Sequence, residues 1–176
     1  MTPADRDAAV PRLLLDEPLP PYAFVPGKAP HPESDPAGHS FGVARGPATF
    51  DADDWHRCWV YLRGIDLFNT GFPWESHVEF EALWLACGRR GTAADYFKAW
   101  VHLAAAAVKH REGIPAGVTS HAARAAELWR GVAKATVTPS FFGFDLAELI
   151  RLADNIHQGG WPTSSPVLLP AGRGEP

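Results

Sequence analysis

The sequence predicts an all-α fold, a compact bundle of about five helices with a proline-rich N-terminal arm packed on it. Three observations lead there. From about residue 51 onward, apolar residues recur at three- and four-residue spacing in five successive segments. No segment alternates apolar and polar residues between hairpin turns, and no internal repeat is evident. Most of the prolines lie within residues 1–48, where they fix φ and remove main-chain donors.

The arm, "DEPLPPYAFVPGKAPHPESDPAGHSFG", reads as extended, non-repetitive chain. Its Tyr22, Phe24, Val25 and Phe41 set it apart from a solvated disordered tail, which is poor in such groups, so it is expected to pack on the domain. A first helix over about 52–69 places Trp55, Trp59, Leu62 and Ile65 on one side, and Gly71 supplies a stop signal. Pro73 suits the first turn of a second helix, which runs to about Cys87 before "GRRG" ends it.

Thr92 with Asp95 resembles a capping arrangement for a third helix over 93–111, with the stripe Phe97, Val101, Ala104 and Val108. The run Ala104 to Ala107 lets a neighbouring helix approach closely. A fourth helix, 118–135, sets Val118, Ala122, Ala125, Trp129 and Val132 against a solvated face of Arg124, Glu127, Arg130 and Lys134. Asp145 and Glu148 have capping-box spacing for a fifth, 146–157, with Leu146, Leu149, Ile150 and Ala153 inward. Short connections favour antiparallel neighbours. The expected division is an arm over 1–48, a helical bundle over 49–158, and a loop and tail over 159–176.

A chain of 176 residues is long enough to bury its own core. Its 16 Lys and Arg are scattered among 20 Asp and Glu, for a net charge of −4, without the concentrated positive footprint that a nucleic-acid surface requires. Cys58 and Cys87 fall on different predicted helices and outside any C-x-x-C pair, which excludes a disulfide framework or a cysteine-rich zinc site. The N-terminal stretch carries acidic residues where a signal peptide is basic, and no apolar run has the length of a membrane span. The cytoplasm is the expected compartment, with no membrane partner.

The segment "FNTGFPWESHVEFEALW" carries a histidine and three glutamates among aromatic residues. On a helical wheel centred on His77, Trp84, Glu81, Trp74, Leu85, Val78 and Phe80 all fall within about 100°, and Glu79 lies nearly opposite. This reading turns His77 and Glu81 inward. It leaves Glu79 as a surface charge and Glu75 as a first-turn residue favoured by the helix dipole. An unpartnered buried carboxylate is costly, so Glu81 would be paired, protonated or bound to something. His77 and Glu81, at i and i+4, can reach one another or a common divalent metal. A buried polar network explains them as well as a ligand or metal pocket does. In the arm, His31, Asp35 and His39 form a second polar group, either surface histidines in a loop or imidazoles held rigidly by flanking prolines. His110 lies off the main stripe of its helix, while His102, His56, His121 and His157 read as solvated or flanking positions.

Phe68-Asn69-x-Gly71, then Trp74-Glu75-x-His77, Glu81 and Trp84, resemble the signature of the family called domain of unknown function 309. The likeness extends through the alanine-rich third helix and "HREGIPAGVTSHAARAAELW", and the arm is similar to the N-terminal segment of longer bacterial members. It implies a compact helical bundle and a suspect pocket rather than a reaction. Members usually have glutamate directly after the histidine. Here that position is Val78, and Glu79 is turned by about 100° from it. No H-E-x-x-H arrangement is therefore present.

Two functional expectations follow. One is a semi-buried pocket in which His77 and Glu81 carry catalysis or bind a divalent metal. Asn69, Trp74 and Trp84 would line it and His31 and His39 would close it, the last two as further metal ligands. Metal-assisted or general acid–base hydrolysis of a small molecule, or simple binding of one, would be its chemistry. The other is a structural or protein-interaction module in which the same polar residues tie the helices to the arm.

Overall fold

The computed structural model describes residues 10–172. The parts of the expected arm and tail at residues 1–9 and 173–176 lie outside the described residues. Five α-helices dominate these: α1 (Trp59–Thr70), α2 (Pro73–Ala86), α3 (Thr92–Glu112), α4 (Pro115–Ala135) and α5 (Leu146–Gly159). Each packs on its neighbours in sequence, α1 on α2 through to α4 on α5, as short connections require.

The helix boundaries follow local chemistry. Gly71 closes α1 at φ 90°, its N–H reaching back to the carbonyls of Leu67 and Phe68, and Pro73 occupies the first turn of α2. Gly113 ends α3 in the same way at φ 75°, and Pro115 starts α4 two residues later, three residues earlier than the sequence pattern indicated. At α5 the Asp145 carboxylate accepts from the Glu148 N–H at 3.1 Å, one half of the expected capping box. The Thr92 cap is not formed: Thr92 is the first helical residue, Gly91 precedes it, and no side chain caps the end. The first helix also starts late. Trp55–Arg57 form a single 3-10 turn and Cys58 leads into α1, while Cys87 caps the end of α2, so both cysteines flank helices and both are free.

The core is aromatic. Trp100 of α3 stacks on Phe80 of α2 at 4.9 Å between centroids and meets Trp129 of α4, Phe68 of α1 and Phe144 edge-on. The close approach of α1 and α2 depends on Gly64, where a Cβ would stand 3.1 Å from the Phe80 ring; beside it the Ser76 hydroxyl donates to the Gly64 carbonyl at 2.8 Å. A buried phenol pair completes this layer: Tyr61 donates to the Phe142 carbonyl at 2.8 Å and accepts from Tyr96 at 2.7 Å, and burial pushes both phenols up.

One small sheet was not expected. Ser140–Phe141 (β1) pair antiparallel with Phe144–Asp145 (β2) around Phe142 and Gly143, both at positive φ. Two-residue strands are too short to show a period, and the turn uses Phe-Gly rather than the usual Asn-Gly. Packing explains the phenylalanine: its ring stacks on Phe97, with the rings 14° from parallel. Gly143 is required, since a Cβ there would meet Trp55 at 2.5 Å.

Candidate functional site

Six polar or charged residues are buried among the described ones, and all six lie on α1 and α2: Arg63, Asp66, Asn69, Glu75, Ser76 and Glu79. The sequence reading singled out one of them, Asn69. The wheel centred on His77 is off by about 100°, because the residues facing the core are Ser76, Phe80 and Leu83. The two tryptophans misled it. Trp84 is half-buried on a flank, with the Lys98 ammonium 4.9 Å from its ring and Arg89 at 5.7 Å, and Leu85 is 44% exposed. Glu75, read as a first-turn residue favoured by the helix dipole, and Glu79, read as a surface charge, are 3% and 4% exposed because chain from outside the bundle covers them.

Ser76 bonds Gly64 within the helix pair, and the other five are matched to that covering chain. The Asp66 carboxylate accepts from the N–H groups of Leu13 and Leu14 at 2.7 and 2.9 Å, with the Arg12 guanidinium at 3.8 Å. Arg63 donates to the Pro18 carbonyl, and burial draws its guanidinium down. Asn69 makes a two-way bond with Leu168, accepting from its N–H at 2.8 Å and donating to its carbonyl at 2.7 Å. Glu75 Oε1 accepts from the Phe24 N–H and from His39 Nε2, at 2.8 and 3.2 Å. A carboxylate only accepts, so His39 carries its hydrogen on Nε2. Glu79 binds Arg45 at 2.9 Å; burial raises its pKa and the arginine opposes that shift.

Around these bonds the aromatic residues form a second contact layer. Phe24, His31 and Trp74 meet mutually edge-to-face with centroids 5.1 Å apart, and Phe24 is buried, whereas Phe41 is half exposed. Between residues 43–51, the start of α1 and the outer face of α2 lies a groove of about 670 Å³. Val78 and Glu79 form part of its wall with Arg45, Asp51, Trp59 and Cys58.

The residues expected to form a metal or catalytic pocket are dispersed. His39 is held at Glu75 and His31 packs on Trp74, whereas His77 lies about 160° round α2 from Glu75, where its Nδ1–H donates to the Val101 carbonyl at 3.1 Å. Glu81 sits half-buried on that same side. Among the described residues no three His, Cys, Asp or Glu side chains are arranged to hold a metal ion, so the set His31, His39, His77 and Glu81 is not one centre. A histidine pair escaped the sequence reading: His102 of α3 and His121 of α4 meet with Nδ1 atoms 3.1 Å apart. Burial drives the His102 imidazole down to about 4, helped by His121, Arg124, Lys98 and His77, and burial with Lys109 and His77 lowers His121. A signal was available. Gly113 joins two antiparallel helices, so residues eleven before and eight after it fall at similar heights.

Among the described residues no helix is long and apolar enough to cross a membrane. Comparison with curated proteins gives no match to this chain. The family model described as Domain of unknown function (DUF309) matches residues 61–121, from Tyr61 in α1 to His121 in α4. That span holds Arg63, Asp66, Asn69, Glu75 and Glu79, the side chains that bind the covering segments, so the part of the chain similar to the DUF309 model is the part that carries the buried polar groups.

Proposed function

We propose that the protein is an interaction module whose α1–α2 face seats non-helical polypeptide by its main chain. The observation that carries this reading is the use of Asp66, Asn69 and Glu75, all buried, to bind the backbone of Leu13, Leu14, Leu168 and Phe24, residues remote in sequence. Bonds to main-chain groups tolerate many side chains in the guest, while the aromatic layer of Phe24, His31 and Trp74 adds apolar selectivity. In this chain the guest is supplied in cis, and a partner protein would use the same main-chain pattern by displacing or extending it.

The test uses a protease site placed between Gly46 and Pro47, in a stretch exposed to solvent from residue 41 to 47. After cleavage the 1–46 segment should remain bound on gel filtration and exchange slowly with a labelled peptide of residues 10–45. Glu75→Ala and Asp66→Ala should speed its release. Immediate loss of the segment, with no rebinding of the peptide, would overturn the reading.

A second reading rests on the 670 Å³ groove, whose wall combines the buried Glu79 and its exposed partner Arg45 with Val78, Val60 and Trp59. It has the volume of a small-molecule site. Stabilisation of the wild type by a cationic or amide compound, lost in Glu79→Gln, would favour small-ligand binding over a polypeptide guest. Binding that is indifferent to Glu79→Gln would count against it.

A further inference from the structure

We infer that His102 and His121 form a two-imidazole site for a borderline divalent transition metal such as Zn²⁺, Ni²⁺ or Cu²⁺, on the side of the bundle away from the arm-binding face. The two Nδ1 atoms are 3.1 Å apart and the ring centroids 5.4 Å, on adjacent helices. A metal at the usual ~2.1 Å from each nitrogen would subtend about 95° at that separation, an angle that four- to six-coordinate metals accept. Imidazole is a preferred donor for these ions.

The surroundings allow a cation. Three basic side chains lie near the pair, and each is already engaged: Arg124 bonds Glu127, Lys109 lies 2.7 Å from Glu112, and the Lys98 ammonium sits over the Trp84 ring. His77 is close enough to influence both imidazoles, and its Nδ1–H is committed to the Val101 carbonyl, which leaves Nε2 as a lone pair on the same flank. Since no third His, Cys, Asp or Glu of the described residues completes a protein-only centre, the remaining coordination positions belong to water or to an exchangeable ligand. Helices α3 and α4 are the longest among the described residues, each of 21 residues, and a metal here would cross-link the middle of α3 to the first third of α4.

The same nitrogen separation also suits a plain N–H···N hydrogen bond, and the experiment separates the two. The full-length chain, purified without a histidine tag and stripped with EDTA, is titrated with Co²⁺, Zn²⁺ and Ni²⁺ by calorimetry, with Co²⁺ followed also by its visible spectrum. The expected result is one saturable equivalent, weakened at least tenfold in His102→Gln and in His121→Gln and unchanged in His31→Gln and His110→Gln. Substoichiometric Cu²⁺ should broaden the ring resonances of His102 and His121 first in the wild-type protein, a readout that does not depend on either variant folding. Absence of saturable binding, or broadening that begins at other histidines, would overturn the inference and leave the hydrogen bond as the whole account of the pair.

Discussion

The Phe24 N–H and the His39 imidazole share one oxygen of Glu75, so two points of the N-terminal segment are fastened to the first turn of α2 by a single carboxylate. Hydrogen bonds to a charged acceptor contribute about 1.5–3 kcal/mol each, and a donor left unsatisfied in a buried position loses that and more. Glu75→Ala should therefore destabilise the fold by about 2–4 kcal/mol in urea unfolding, His39→Ala by less, and the double variant by less than the sum. Additive losses would show that the two bonds are independent.

Val78 occupies the position where a glutamate is the expected residue, and its side chain lies on the wall of the open groove rather than in the core. An ionised carboxylate there reaches water and stands near Arg45. Val78→Glu should change stability by no more than about 1 kcal/mol, as surface substitutions do. A loss of several kcal/mol on chemical denaturation would place that side chain in a dry environment instead.

The His102 imidazole is lowered in the folded protein to about 4 from an ordinary 6.5. Above the ordinary value both states are neutral and the contribution to stability is full; as pH falls from 6.5 toward 4 the unfolded chain takes up a proton that the native state refuses, and stability is lost. In EDTA-containing buffer the unfolding free energy should decline across that window, with His121 adding to the slope in the same direction. His102→Gln should flatten part of the decline, measured as urea midpoints at pH 4.5, 5.5 and 7.

A Cβ at Gly64 would press on the Phe80 ring, and that ring is also stacked on Trp100. Ala is the better helix former by about 1 kcal/mol, but the added methyl would need a fully buried ring to move. Gly64→Ala should lower the melting temperature, while Gly131→Ala, in open space on α4, should raise it or leave it unchanged. Equal responses at the two glycines would mean that the helix pair is loosely packed.

Several helix ends and the inner stripe of α4 were legible because their causes are local, whereas Trp59 of the expected first stripe is 44% exposed. Gly71, Pro73 and Asp145 act within a few residues of themselves, and Val118, Ala122, Ala125, Trp129 and Val132 all turn inward as spaced. The burial of Glu75 and Glu79 was illegible for the opposite reason. Each is enclosed by chain 34 to 51 residues away, and no periodicity within α2 records that contact. Asn69 was named for its place in the motif, yet its partner, Leu168, lies in a stretch that reads only as tail. Trp84 shows how a wheel fails on a helix covered from two directions, since a large aromatic residue can lie at the margin of a core while a smaller Ser76 sits at its centre.

The two-way bond between Asn69 and Leu168 also bears on how the protein is made. Synthesis proceeds from the N-terminus, and the exit tunnel conceals the most recent residues, so α1 emerges and meets α2 long before position 168 is free to reach it. Until then the Asn69 amide must find water or a surrogate, and a chaperone or a neighbouring nascent chain can supply the missing backbone. A chain from which α5 has just emerged would thus display a helical bundle complete but for its last strap, and the emergence of residue 168, rather than formation of the helices, is the event that closes it.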